Sequence, residues 1–268
     1  MSARISIVTP VFNGARYIAA CIENVAGQTV DGLEHIVVDG GSTDGTVAIL
    51  ESLKALYPHL RYISEKDNGQ SDAMNKGIRL ASSDLIGILN ADDFYEPSAI
   101  REAVEFLESN PSIDFVAGDC NLRDKNDVIT HVNRPSDLRP ESILLGSEYA
   151  EYPVNPSAYF YRKCVHNAVG DYLDSEQYAM DICFLYSCFA KVKTAYLRRL
   201  WGNFRHLPGT KTVQNQADAP RMMRSLRWRY IRKLPLARRL PLSARAFFWN
   251  ARLSYWRLAK TLNRRGSA

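Results

Sequence analysis

The sequence predicts an α/β fold: a mostly parallel, doubly wound sheet flanked by helices and followed by a basic helical extension. Three observations predict it. Short apolar runs recur at helix-sized intervals over roughly the first 120 residues. The stretches between them carry helical spacing of apolar side chains, and a strand–helix–strand crossover makes neighbouring strands parallel. A chain of 268 residues that is 46% hydrophobic can bury one sizeable core.

Taken in order, Arg4–Thr9 reads as a buried strand closed by Pro10, and residues 15–26 as a helix. His35–Asp39 is a second strand. Gly40-Gly41-Ser42-Thr43-Asp44-Gly45 is a tight turn, with Thr43 or Asp44 placed to cap a helix reaching Leu56. Leu60–Ser64 is a third strand, and Ser71-Asp72 opens a helix to about Ala81. Asp84–Leu89 is a fourth strand, Pro97 starts a helix to Glu108, and Ile113–Gly118 is a fifth strand. Beyond Asp119 the pattern loosens. Leu122–Val132 reads as a hairpin around Lys125-Asn126-Asp127, residues 135–145 as a short helix, and Asn155–Arg162 as a strand. Residues 178–189 read as a helix and Ala195–Phe204 as a strand. The expected organisation is one continuous domain over 1–220, with halves 1–120 and 121–220, and a basic amphipathic tail over 221–268.

Charge divides the chain at the same place. Of its 34 Lys and Arg residues, 14 follow residue 220, where there is no Asp or Glu; the first 220 residues hold the other 20 against all 29 acidic groups. Body and tail therefore meet different partners. The five cysteines are odd in number and lack C-x-x-C spacing, which argues against a zinc site or a disulfide framework and for a reducing cytoplasm. No leader-like start and no run of 18 apolar residues is visible.

In a doubly wound sheet, ligands bind beyond the carboxyl ends of the strands. Those ends are Thr9-Pro10, Asp39, Glu65–Asp67 and Asn90-Ala91-Asp92-Asp93, and folding alone does not require acids to gather there. Adjacent carboxylates at a strand end repel unless a cation or donors compensate. Mg²⁺ or Mn²⁺, which shares oxygen ligands with phosphates, is the natural compensation. Taken singly, each segment also reads as an ordinary polar turn.

Together the segments resemble the family-two glycosyltransferases, which have the GT-A fold, a Rossmann-like sheet. The resemblance rests on Thr9-Pro-Val-Phe-Asn13, Val37-Val-Asp-Gly-Gly-Ser-Thr-Asp-Gly-Thr46, Glu65-Lys-Asp-Asn-Gly-Gln-Ser-Asp-Ala-Met-Asn-Lys-Gly77 and Ile88-Leu-Asn-Ala-Asp-Asp93, in order and at matching spacing. The third segment is most similar to members that build O-antigen and other surface polysaccharides. The resemblance implies that 1–120 binds a nucleotide sugar and 121–220 the acceptor. Thr9, Pro10 and Phe12 would line the base, and Asp39 and Asp67 would hold base and ribose. Asn90, Ala91, Asp92 and Asp93 would meet the diphosphate and a divalent metal. Asn90 stands where the family often has Asp, which shifts the ligand role to the following pair. Asn75 and Lys76 lie on a helix beside the pocket, Lys76 facing either a phosphate or solvent.

In the second half, Asn155-Pro-Ser-Ala-Tyr-Phe-Tyr-Arg162 resembles the family's strand before an acceptor-side helix. Asp181, in Tyr178-Ala-Met-Asp181, matches the place of the catalytic acid at a helix start. The chemistry needs a general base for the acceptor hydroxyl; Asp181 is the candidate, with Asp174 and Glu176 as fallbacks. Otherwise Asp181 is a helix-start acid stabilised by the macrodipole. Residues 205–212 read as a flexible loop, and His206 is a candidate third metal ligand or diphosphate contact.

Residues 221–233 and 243–262 read as helices separated by Pro235 and Pro241. Phe248, Ala251, Tyr255, Leu258 and Leu262 share one face of the second, and Trp228, Trp249 and Trp256 add interface-type aromatics. This is the pattern of a helix lying in an anionic membrane surface. Packing on the acidic body and an oligomer contact are the alternatives; no nucleic-acid module accompanies the charge. The expectation is an inverting, metal-dependent glycosyltransferase acting on a glycan or lipid-linked acceptor, peripheral on the inner face of the cytoplasmic membrane. The alternatives are a nucleotidyltransferase, against which the single glycine and single arginine of Thr9–Arg16 argue, and a non-catalytic nucleotide-sugar-binding protein.

Overall fold

The computed structural model describes residues 3–146, 150–176, 179–214, 218–242 and 244. In chain order the elements are β1 (Ile5–Val11), α1 (Ile18–Ala26), β2 (Leu33–Asp39), α2 (Thr46–Lys54), β3 (Leu60–Ser64), α3 (Gln70–Leu80), β4 (Leu85–Ile88), β5 (Phe94–Tyr95), α4 (Ala99–Ser109), β6 (Phe115–Arg123), β7 (Ile129–Asn133), α5 (Pro140–Leu145), β8 (Tyr159–Arg162), α6 (Val165–Val169), α7 (Met180–Lys191), β9 (Thr194–Arg205), α8 (Lys211–Gln214) and α9 (Ala219–Lys233). They form one sheet in the order β3-β2-β1-β4-β8-β6-β9-β5, with β7 paired to β6. Strands β3, β2, β1 and β4 are parallel. β8 enters antiparallel between β4 and β6, which restores the first direction for β6 and its parallel neighbour β9. The short β5 closes the far edge antiparallel to β9.

Alternation along the central strands sends side chains to two helical layers. Val8, Ile36, Val38, Ile86 and Ile88 pack with Met74 and Ile78 of α3 and with Phe184 and Leu185 of α7. Ile5, Ile7 and Leu85 face α1 and α4 through Cys21, Val25, Ile100 and Val104. α3 lies close on β1 because residue 77 is glycine: a Cβ there would come within 2.3 Å of Val8 Cγ1.

β1 runs through Pro10 to Val11 instead of closing at Thr9. The register with β4 ends at Val8↔Ile88, so Pro10 pairs only with β2 and no ladder bond toward β4 is lost. Three elements lie outside the sequence expectation, β5, α6 and α8, the last beginning inside the segment read as a loop; all are short, and β5 owes its strand character to β9, more than a hundred residues on.

The first part of the basic tail packs on the body. Leu226 and Ile231 of α9 are buried against Ala179, Cys183, Leu144 and Leu145, and Arg229 pairs with Glu176 at 2.5 Å. The second expected helix, 243–262, lies outside the described residues except for position 244.

His35 is buried on β2 with its Nε2 2.9 Å from Thr9 Oγ1, and burial, with His59 nearby, pushes its pKa down to about 3 from an ordinary 6.5. An unfolded chain protonates this histidine below about pH 6.5 while the native protein does not, so stability present above that pH falls as pH drops toward 3. Between pH 7.5 and 5 the group costs about 2 kcal/mol, at 1.36 kcal/mol per unit. His35→Gln should flatten this dependence, read as the difference between the two proteins' melting temperatures at the two pH values.

Candidate active site

The carboxyl ends of β1, β2 and β4 and the loops after β2 and β3 form one edge. Asn13, in the left-handed region (φ 51°), accepts from Thr43 N–H through its side chain, and its own N–H donates to Ser42 Oγ. Ala15 N–H donates to Asp44 Oδ2, which stitches the loop after β1 to the glycine turn after β2. Phe12 stands at this edge 64% exposed, a free aromatic face, and Pro10 is buried beneath it.

Asp39 ends β2 fully buried. Its Oδ2 accepts from Ser64 Oγ (2.7 Å) and from the N–H groups of Gly41 and Ser42, while its Oδ1 has no hydrogen-bond partner among the described residues. A buried lone acceptor costs free energy and marks a place for a donor. Asp67 sits beside it. Its Oδ1 accepts from Gly69 N–H, and its carboxylate lies so close to Gly40 that a Cβ there would meet Oδ2 at 2.6 Å. Residue 40 is glycine because the two acids converge across it.

The acidic turn after β4 separates two carboxylates that the sequence leaves equivalent. Asp93 is buried and saturated: Oδ2 accepts from Asn90 Nδ2 (3.1 Å) and Asn155 Nδ2 (2.8 Å), and Oδ1 from Arg205 N–H (2.9 Å). Asn90 in turn accepts from Gln70 Nε2 at 2.9 Å. An aspartate at position 90 would replace Asp93's donor with a second negative charge. Asp92 is half-buried and faces the Arg205 guanidinium, which donates to the Asp92 carbonyl and stacks over Tyr17 and Phe94, 5.7 and 5.6 Å from their ring centres. Burial raises both carboxyls above the ordinary range. The charge of Asp92 raises Asp93 further, and Arg205 restrains Asp92.

The other sequence-derived candidates have contacts of their own. Thr9 turns its hydroxyl to His35 and Cys21 in the core, so its side chain is spent there. Asn75 is used twice by the backbone of Tyr172, donating to its O at 2.9 Å and accepting from its N–H at 3.0 Å. Lys76 pairs with Glu65 (2.8 Å) and Asp72 (3.3 Å). The trio Asp92, Asp93 and His206 is not assembled as a ready-made cage: among the described residues no three His, Cys, Asp or Glu side chains are gathered to hold a metal.

A divalent cation still fits the turn. Mg²⁺ and Mn²⁺ need few protein carboxylates when phosphate oxygens and water complete the shell. Asp92 offers a desolvated carboxylate for which no side-chain hydrogen-bond donor appears among the described residues, with the Arg205 charge nearby, whereas Asp93's oxygens already accept three hydrogen bonds. His206 follows Arg205 directly, its ring edge-on to Phe204 at 4.6 Å, and burial lowers its pKa, which favours the neutral, ligating form.

Asp181 lies in the first turn of α7. The preceding residue, Met180, receives the Ser71 hydroxyl on its sulfur (2.9 Å), so the start of α7 is docked on the start of α3 at the same sheet edge. The sequence missed Gln70, Asn155 and Arg205. Asn155 had a signal, an Asn-Pro start to a matched segment; the other two act through partners far away in the chain.

The family profile described as Glycosyl transferase family 2 matches residues 6–164. The chain belongs to glycosyl transferase family 2. Among its relatives, a PGL/p-HBAD biosynthesis glycosyltransferase of Mycobacterium bovis is 28% identical over 241 residues, covering 88% of this chain and 90% of the relative. A chondroitin synthase of Escherichia coli is 38% identical over 109 residues, 41% of this chain but only 16% of that enzyme. Among solved structures, S. aureus TarS 1–349 in complex with UDP-GlcNAc has a TM-score of 0.65 at 17% identity, covering 91% of this chain and 72% of that one. The mannosyltransferase PcManGT from Pyrobaculum calidifontis in complex with GDP-Man and Mn²⁺ has 0.60 at 18%, covering 98% and 80%. The fold of this family 2 member is accordingly the GT-A type.

Proposed function

We propose that this chain transfers a sugar, with inversion, from a nucleoside-diphosphate sugar to a hydroxyl of a glycan or lipid-linked acceptor in the biosynthesis of a surface polysaccharide. The observation that carries the reading is the pairing of two unlike carboxylates at one sheet edge. Asp39 keeps a buried oxygen for a base or ribose donor, and Asp92 keeps a carboxylate for a cation. Phe12 supplies an exposed ring for the base, and Asp67 stands next to Asp39 for the ribose. A divalent Mg²⁺ or Mn²⁺ held by Asp92, with His206, supplies neutralisation of the diphosphate charge when bound.

The acceptor oxygen attacks the anomeric carbon as the bond from that carbon to the diphosphate oxygen breaks. Asp181 takes the hydroxyl proton, and the nucleoside diphosphate departs with the bonding pair. A single displacement of this kind inverts the anomeric centre. The relatives named for PGL/p-HBAD biosynthesis and as a chondroitin synthase support this reading.

The same proposal places the protein at the cytoplasmic membrane's inner face, held through the basic 221–268 segment. Support comes from its 14 cationic residues without an acid and from Met222 and Trp228, exposed on α9 among arginines. Among the described residues no helix is long and apolar enough to cross a membrane.

Binding is tested by thermal shift with UDP, GDP, UDP-GlcNAc and GDP-mannose, each with Mn²⁺. A nucleotide at about 100 times its Kd stabilises by about 2.7 kcal/mol, which raises the melting temperature by about 5–10 °C. At least one of them should do so for the native protein and none for Asp39→Ala. Absence of any shift contradicts the donor site.

A further inference from the structure

Two buried tyrosines packed in the core with α7 carry hydroxyls without a hydrogen-bond partner of good geometry among the described residues. Tyr159 and Tyr172 are 0% and 2% exposed, and their hydroxyl oxygens have no hydrogen-bond partner among the described residues. The two hydroxyls lie close enough to perturb each other's ionisation. A buried, unpaired hydroxyl is a cost that phenylalanine would remove without loss of shape.

Both are positioned with care. Tyr172 is clamped at its backbone by the two Asn75 hydrogen bonds, and its ring stacks on Phe184 with centres 4.3 Å apart. Phe184 follows Asp181 by three residues on α7, so both occupy one helix face and Asp181 stands one turn above the stacked rings. Tyr159 begins β8, four residues after Asn155, whose side chain holds Asp93. Asp181 is the acid whose negative charge bears most strongly on the Tyr159 hydroxyl, and it acts on Tyr172 as well.

We infer that Tyr159 and Tyr172 are positioning residues for Asp181: their spare hydroxyls are donors that orient its carboxylate toward the acceptor hydroxyl once a donor sugar is bound. The inference rests on the reading of Asp181 as the base. It also links α7 to the acidic turn, since Tyr159 follows closely in the chain on Asn155, whose side chain donates to Asp93. Orientation of a base by a neighbouring group changes turnover and leaves donor affinity alone.

The test uses Tyr159→Phe, Tyr172→Phe, Asp181→Asn and the double variant Y159F/D181N in the full chain. Melting temperature is measured, and release of nucleoside diphosphate from UDP-GlcNAc or GDP-mannose gives kcat and KM. Each tyrosine variant should melt as high as the native protein or about 2–4 °C higher, with kcat lowered about 10- to 100-fold and donor KM unchanged. The double variant should be no slower than Asp181→Asn. Unchanged kcat, a fall in melting temperature that accompanies the loss, or a multiplicative double variant overturns the inference while leaving the base in place. Full kcat in Asp181→Asn removes the base reading, and the positioning role with it.

Discussion

Asp181→Asn lowers kcat by about 10²- to 10⁴-fold, the range a positioned general base contributes. Nucleotide binding and melting temperature stay near native values. The carboxylate lies in the first turn of α7, an element apart from the strand ends that carry Asp39, Asp67 and Asp92. An amide of the same shape keeps the helix start but does not accept the acceptor's proton. Steady-state kinetics with a thermal-shift control separates the two effects: a parallel loss of nucleotide binding would make Asp181 part of the donor site instead.

The adjacent acids Asp92 and Asp93 respond differently to the same substitution. Asp93→Ala strands the Asn90 and Asn155 amides and the Arg205 N–H inside the protein. Unpaired buried donors of this kind cost about 2–4 kcal/mol in total, so this variant melts well below the native protein. Asp92→Ala removes no side-chain hydrogen bond of that network. It folds with near-native stability and loses about 10²- to 10³-fold in kcat, the scale of one preorganised electrostatic group, together with the Mn²⁺ dependence of nucleotide binding. Calorimetric unfolding and Mn²⁺ titration of the two variants check both halves. Equal stability in the pair would show that Asp93 is not the anchor described above.

The contrast between these two residues shows where sequence reading reaches its limit. Asp92 and Asp93 are indistinguishable in the sequence because their difference comes from Asn155 and Arg205, which meet Asp93 from 62 and 112 residues away. The first four strands were legible because each is a short, largely apolar segment ended by its own turn chemistry, as in Ile36-Val37-Val38-Asp39 before Gly40-Gly41. The convergence of acids was legible too, since a parallel sheet puts every strand's carboxyl end on one edge. Thr9 was half legible: its place at the end of β1 follows from the pattern, but its hydroxyl's commitment to His35 depends on the neighbouring strand's register. Lys76 resisted for the opposite reason, as a helix lysine reads as free until Glu65 from the preceding loop is seen to reach it. β5 has two residues and no pattern of its own; only its pairing with β9 makes it a strand.

The most direct test of the central claim is the identity of the released product. The native protein is incubated with UDP-GlcNAc or GDP-mannose, Mn²⁺ and a bacterial membrane extract as acceptor, and the nucleotide products are resolved by chromatography. Nucleoside diphosphate should be released in step with sugar incorporation, and EDTA and Asp92→Ala should each abolish it. Pyrophosphate as the product of incubation with a nucleoside triphosphate and a sugar phosphate would contradict the glycosyl-transfer reading, and diphosphate release that survives both EDTA and Asp92→Ala would contradict the place given to the metal.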